Sequence, residues 1–234
     1  MNIYTKDEEI NTPNNCKSHL VILGAGASLA ALPDGDKNGK KLPLMNNLVE
    51  VTGINDILDQ ENIPWKEKNF EDLYSELSDN LIKNNVTLQK IEGKIYNYFS
   101  NLELPDKPTI YDHLILSLRK KDVIATFNWD PFLVQATRRC SKISTSLPKL
   151  IFLHGNVAVG ICKDCKVMGW INEPCLKCNN MKEKTKLLYP ISKKNYLENQ
   201  FISSMWNDFD YYLKRSFMVT IFGYGAPKSD VEAI

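Results

Sequence analysis

Four short apolar runs in this chain each stop at a glycine-rich or polar motif, and that arrangement limits the folds open to it. Ser18 to Leu23 ("SHLVIL") runs into "GAGAS" at Gly24 to Ser28, and Val123 to Phe127 ("VIATF") into "NWD". Leu150 to Leu153 ("LIFL") runs into "HG", and Met218 to Phe222 ("MVTIF") into "GYGAPKSD". Short apolar runs closed by turn signals read as strands. Between them, Phe70, Leu73, Leu77 and Leu81 recur at helical spacing, as do Leu88, Ile91, Ile95 and Phe99. Phe201, Met205, Trp206, Phe209 and Leu213 form a further helical stripe. Strands separated by helices predict an α/β fold: a Rossmann-like, mainly parallel sheet with helices on both faces. A small helical insert over about 65–104 and a cysteine-bearing zinc-ribbon module over about 156–190 interrupt it. Residues 1–17 read as an irregular arm, and 18–234 as the domain.

The chain has 234 residues, enough for one sizeable core. Its net charge of +1 supplies no field for a nucleic acid or lipid surface, so neither partner is expected. The longest apolar stretch, Leu20 to Leu32, is broken by Gly24 and Gly26 and falls short of the ~20 residues of a membrane span. No basic, apolar and small-residue leader opens the sequence, so its six cysteines are expected in a reducing cytoplasm. "SDVEAI" reads as a helix beginning with Ser229 as its cap, which predicts a domain cut from a longer chain or a short protein lacking its final helix.

Open α/β sheets bind ligands beyond the carboxyl ends of their strands, and the four motifs fall at those ends. "GAGAS" has two readings. It is a tight turn, or a bare backbone that lets a pyrophosphate approach amide groups at a helix start. It is not the dehydrogenase fingerprint, because Pro33, Gly35, Gly39 and Pro43 break up the stretch where a second strand would follow. Cys162 and Cys165 form one C-x-x-C pair and Cys175 and Cys178 another, with nine residues between. Four thiolates complete a closed tetrahedral shell, which implies structural zinc; redox dithiols and plain packing are the alternatives. Cys16 and Cys140 belong to no such pair and are expected to pack. His154 stands eight residues ahead of the first pair and is not needed by the metal. It is a core histidine or a general base, and Asn128 and Asp130 at the neighbouring strand end favour the base.

In this order, "GAGAS…LPD", "TFNWD", "LHG", the paired C-x-x-C and "GYG…D" resemble the sirtuin (Sir2) superfamily from about Ser18 onward. The resemblance implies NAD+ binding by Gly24, Ala25, Gly26 and Ser28. It makes Asn128 the residue that orients the nicotinamide ribose or the attacking water, and Asp130 the receiver of the nicotinamide carboxamide. It makes His154 the base, and lays Gly223, Tyr224 and Gly225 against the adenosine half. Two departures stand out. The deacylases' Pro-Asp-Phe-Arg is replaced by "PDGD" (Pro33 to Asp36), and their peptide-pairing Phe-Gly-Glu segment by "LLYPISKKNYLENQF". "TFNWDPFL", "LYPISKKNY" and "SSMW" are similar instead to the Sir2-like domains of bacterial defence proteins. The resemblance therefore implies an NAD+ glycohydrolase, yielding nicotinamide and ADP-ribose in anti-phage defence. A lysine deacylase and a non-catalytic NAD+ or ADP-ribose sensor are the alternatives. A protein partner, a fused effector or sensor domain, and a homo-oligomer are all compatible with it.

Overall fold

The computed structural model describes residues 5–11, 18–191, 199–226 and 230. Cys16, Ser229 and residues 192–198 of the "LYPISKKNYLENQ" stretch lie outside these. The arm that the sequence reads as irregular contains α1 (Lys6–Asn11). Its start is a capping box: Thr5 N donates to Glu8 Oε2 at 2.8 Å, and Glu8 N to Thr5 Oγ1 at 3.2 Å.

β1 (Ser18–Leu23) leads into α2 (Ala25–Ala31), then two short helices, α3 (Leu48–Thr52) and α4 (Asn55–Gln60). α5 (Phe70–Asp79) and α6 (Leu81–Ser100) form the helical pair, and α7 (Ile110–Ser117) follows. β2 (Val123–Thr126), α8 (Phe132–Cys140) and β3 (Lys149–Phe152) continue the main sheet. β4 (Val159–Ile161), β5 (Met168–Trp170) and β6 (Glu183–Lys184) make a separate antiparallel sheet of order β5-β4-β6. α9 (Gln200–Leu213) and β7 (Ser216–Phe222) return to the main sheet, whose order is β3-β2-β1-β7 with every neighbouring pair parallel.

That order fixes where a ligand can sit. The chain steps one way from β1 to β2 to β3, then passes back over all three to β7. Right-handed crossovers place the β1–β2–β3 connections on one face and α9 on the other. The winding direction reverses between β1 and β7, and crevices of open α/β sheets form at such a reversal.

The apolar periodicities are those of the core. Leu20, Leu23, Val123, Ile124, Ala125 and Ile151 are fully buried in the sheet. Phe70, Leu73 and Leu77 of α5 are buried, as are Leu88, Ile91, Ile95 and Phe99 of α6. α9 buries Phe201, Met205 and Phe209 but leaves Leu213, in its last turn, exposed. β7 differs from the other strands: Phe217, Met218, Val219 and Ile221 are exposed. It is the edge of the sheet, flanked among the described residues by β1 alone. Among the described residues, no helix is long and apolar enough to cross a membrane.

The loops after β1 and β7 are locked together by Gly223, at φ +66°, where a Cβ would lie 2.0 Å from Ala27 N. Gly223→Ala combines backbone strain with that collision and is expected to destabilise the protein by about 2–4 kcal/mol. Calorimetry should show a melting temperature lower by several degrees; an unchanged value would mean the loops part without cost.

Candidate active site

At the reversal between β1 and β7 lies a cavity of about 520 Å³. Every nucleotide-site residue picked from the sequence lines it: Gly24, Ala25, Gly26 and Ser28; Asn128 and Asp130; His154; Gly223, Tyr224 and Gly225. Leu42, Pro43, Leu44 and Met45 close it from the stretch beyond "PDGD". That motif is itself a loop support. Asp36 accepts from Asn38 N, Lys40 N and Glu103 N at 2.8–3.0 Å, and Gly35 sits at φ +100°. No lysine or arginine is among the described lining residues.

The glycines of "GAGAS" are required first by chain packing. Gly24 N donates to Phe222 O at 3.1 Å and Gly26 N to Gly223 O at 2.9 Å. A Cβ on Gly24 would lie 2.6 Å from Gly223 O, and one on Gly26 3.0 Å from the same atom. Ala27 N donates to Gly24 O at 2.9 Å, so these three N–H groups are engaged within the protein. Ala25, exposed at the crest of the turn, is left to present its N–H to a ligand.

Beneath that turn is a buried polar network. Asn128 Nδ2 donates to Gly24 O and to Ser28 Oγ, each at 2.9 Å, which leaves its carbonyl oxygen as the group it can offer a ligand. Ser28 Oγ donates to Asp130 Oδ2 at 2.6 Å and lies 2.6 Å from Tyr111 Oη. Asp130 Oδ1 also accepts from Phe132 N at 3.2 Å. Burial dominates these bonds and pushes the Asp130 carboxyl up to about 6; burial likewise raises Tyr111 above the usual phenol range. Asn156, which the sequence reading passed over, clamps the motif from below: its Nδ2 donates to Asp130 O at 2.7 Å. Its signal was a polar residue directly after "HG" within an apolar stretch.

His154 is 7% exposed and reaches its position at the end of β3. Phe127 packs against it edge-on at 4.9 Å, and Tyr224 stacks on Phe127 at 4.2 Å with the rings within 6° of parallel. Asp230 Oδ1 lies 3.4 Å from His154 Nε2, and Tyr224 Oη donates to Asp230 Oδ2 at 2.9 Å. Phe127 and Asp230, which fall within "TFNWD" and "GYG…D", also line the cavity. Trp129 Nε1 is buried and has no hydrogen-bond partner among the described residues.

The segment leaving the cysteine module is pinned beside His154. Leu188 N donates to His154 O at 2.9 Å, and a Cβ on Gly155 would collide with Lys186 O at 2.2 Å. Tyr189 stacks on Tyr74 at 5.0 Å and packs on Trp129 at 5.0 Å; its hydroxyl donates to Glu92 O.

Cys162, Cys165, Cys175 and Cys178 converge with all four sulfurs within 4.8 Å of one another. A tetrahedron of thiolates at ~2.3 Å from a metal has sulfurs about 3.8 Å apart, so the set fits one ion. Hydrogen bonding to Cys178 pushes Cys165 up to about 12, while the Lys177 N–H draws Cys175 down to about 6. Cys140 is buried and packs, as expected from the sequence.

The raised carboxyl of Asp130 has a consequence for stability. Its folded value, about 6, exceeds the unfolded value of 3.8, so the folded state holds the proton more tightly. The stability this confers is full below about pH 4 and is lost as pH rises through about 6. Asp130→Asn should remove that dependence. Between pH 5 and 7.5 the wild type is expected to lose about 1–2 kcal/mol more than the variant. Urea titrations at the two pH values measure the difference; identical losses would refute a raised carboxyl.

No family model and no curated protein matches this sequence. Solved structures do. A Sir2 homologue in complex with NAD is 15% identical with a TM-score of 0.45, covering 99% of this chain and 78% of that one. A triple mutant of a Sir2 homologue with 2'-O-acetyl ADP ribose is 15% identical at 0.48, covering 98% and 80%. A Sir2 complex with a p53 peptide and NAD+ is 15% identical at 0.41, covering 99% and 82%.

Proposed function

We propose that this chain is a Sir2-like NAD+ glycohydrolase that releases nicotinamide and ADP-ribose, with bacterial anti-phage defence as its setting. The observation that carries the reading is the convergence of Asn128 and His154, from two strand ends, on one cavity beside two interlocked glycine loops. With no lysine or arginine among the described lining residues, the pyrophosphate would lie against the backbone N–H of Ala25 at the start of α2. The indole N–H of Trp129, without a partner among the described residues, is a further donor for a ligand oxygen.

The chemistry needs few groups. As the bond between ribose C1' and nicotinamide nitrogen breaks, its electron pair neutralises the pyridinium, so the leaving group requires no acid. The ribose carbon left behind is oxocarbenium-like. Water adds to it, and His154 takes the proton. The free carbonyl of Asn128 accepts a hydrogen bond from that water or from a ribose hydroxyl. Asp130, with oxygens already bonded to Ser28 and Phe132, holds the "NWD" turn in shape as it lines the nicotinamide end.

A deacylase would use the same residues with an acyl-lysine oxygen as nucleophile, its peptide laid as a strand beside the segment after the cysteine module. Here Leu188 already donates to His154 O, Tyr189 is stacked on Tyr74 and packed against Trp129, and Pro190 has no N–H to give. Ser75 Oγ also donates to Pro190 O. These contacts favour water as the acceptor. A pure sensor would have no use for a base.

Incubation with NAD+ alone is expected to yield ADP-ribose, identified by mass. His154→Ala should cut turnover at least ~100-fold while leaving NAD+ affinity within about tenfold. O-acetyl-ADP-ribose formed only when an acetylated peptide is present would replace this reading with the deacylase.

The cysteine set is proposed to hold structural zinc, with no open position for a catalytic water. Purified protein should contain about one zinc per chain, and Cys175→Ser should lose it and melt earlier. Protein purified without chelators and free of zinc would exclude the assignment.

A further inference from the structure

The carboxylate of Asp230 is 1% exposed, lines the cavity, and stands 3.4 Å from His154 Nε2. Burying an ionised carboxylate is costly unless its oxygens find partners. One oxygen has the Tyr224 hydroxyl at 2.9 Å; the other lies beside the imidazole. Tyr224 in turn stacks on Phe127, whose ring borders His154, so the histidine, its carboxylate neighbour and the "GYG" loop form one packed unit. We infer that Asp230 is the positioning partner of His154: it holds the ring as the Nε2–H tautomer and stabilises the imidazolium formed when the ring accepts a proton. This rests on the reading of His154 as the base.

The chemistry follows from the two ring nitrogens. A neutral imidazole carries one N–H and one lone pair, and the partner of one nitrogen decides the role of the other. A carboxylate at Nε2 keeps the proton there and leaves the lone pair on Nδ1, so Nδ1 is the atom that takes the proton from water. The resulting imidazolium faces a buried negative charge. At 3.4 Å the pair is in charge contact without the geometry of a formed hydrogen bond, and catalytic hydrogen bonds are often long in the free enzyme and tighten in its complexes. Asp230 and Tyr224 are titratable groups beside His154, and Asp130 and Glu71 line the same cavity.

The test does not depend on turnover. The chain has only three histidines, His19, His113 and His154, so their side-chain nitrogen resonances can be assigned by removing His154. In the wild type, neutral His154 should appear as the Nε2–H tautomer. In Asp230→Asn, which keeps an oxygen for Tyr224, the His154 proton affinity should fall about tenfold or more. Turnover should fall by ~10–100-fold with KM nearly unchanged, because the charge acts on the protonated ring. An unchanged His154 titration in Asp230→Asn would overturn the inference. If that variant does not fold, the wild type alone decides, and a neutral His154 in the Nδ1–H form overturns it. Should the titration shift as expected while the wild type fails to cleave NAD+, the pairing stands and the glycohydrolase reading falls.

Discussion

The contact between the loops after β1 and β7 is the constraint on which the rest of the site depends. Two backbone hydrogen bonds, Gly24 N to Phe222 O and Gly26 N to Gly223 O, fasten the strands just beyond the last rung of their ladder. They can form only because neither chain carries a Cβ there. The same glycines that suggest phosphate binding are thus consumed by holding the crevice at a fixed width. Once that width is set, Asn128 can reach Gly24 O, Ser28 can reach Asp130, and Tyr111 closes the network from α7. A buried network of this kind stabilises only if every member is satisfied, which ties the shape of the "NWD" turn to the loop contact above it.

The parts legible in the sequence were those written in local patterns. Strand runs ending in glycine or polar motifs gave the parallel sheet, and helical stripes at Phe70 and Leu88 gave the paired insert, because burial imposes a period that a short window reveals. The convergence of four motifs on one cavity followed from strand direction alone. What local pattern could not give was partnership across the chain. Asp230 lies 76 positions from His154 in sequence, and nothing in "GYGAPKSD" announces that its aspartate turns back to the end of β3. The exposure of β7 was equally hidden, since "SFMVTIF" has the composition of a central strand and occupies an edge. Conversely α1 was written locally, in the capping box of "TKDE", and was overlooked within a polar arm.

The cysteine module and the cavity are mechanically joined, although no cysteine is among the described residues that line the cavity. The chain enters the module through Gly155 and Asn156 and leaves it through Thr185 to Leu188, and these two passages are bonded to each other. Thr185 Oγ1 donates to Asn156 O at 3.0 Å, and Leu188 N to His154 O at 2.9 Å. Gly155, at φ +77°, permits Lys186 O to pass where a side chain would stand. Asn156 reaches on to Asp130 O. Whatever closes the four-sulfur set therefore also fixes the register of the two passages, and with it the backbone of His154 and the base of the "NWD" turn. A metal bound there acts on the site through folding energy rather than through coordination chemistry. The three-stranded sheet thereby becomes a brace for the histidine.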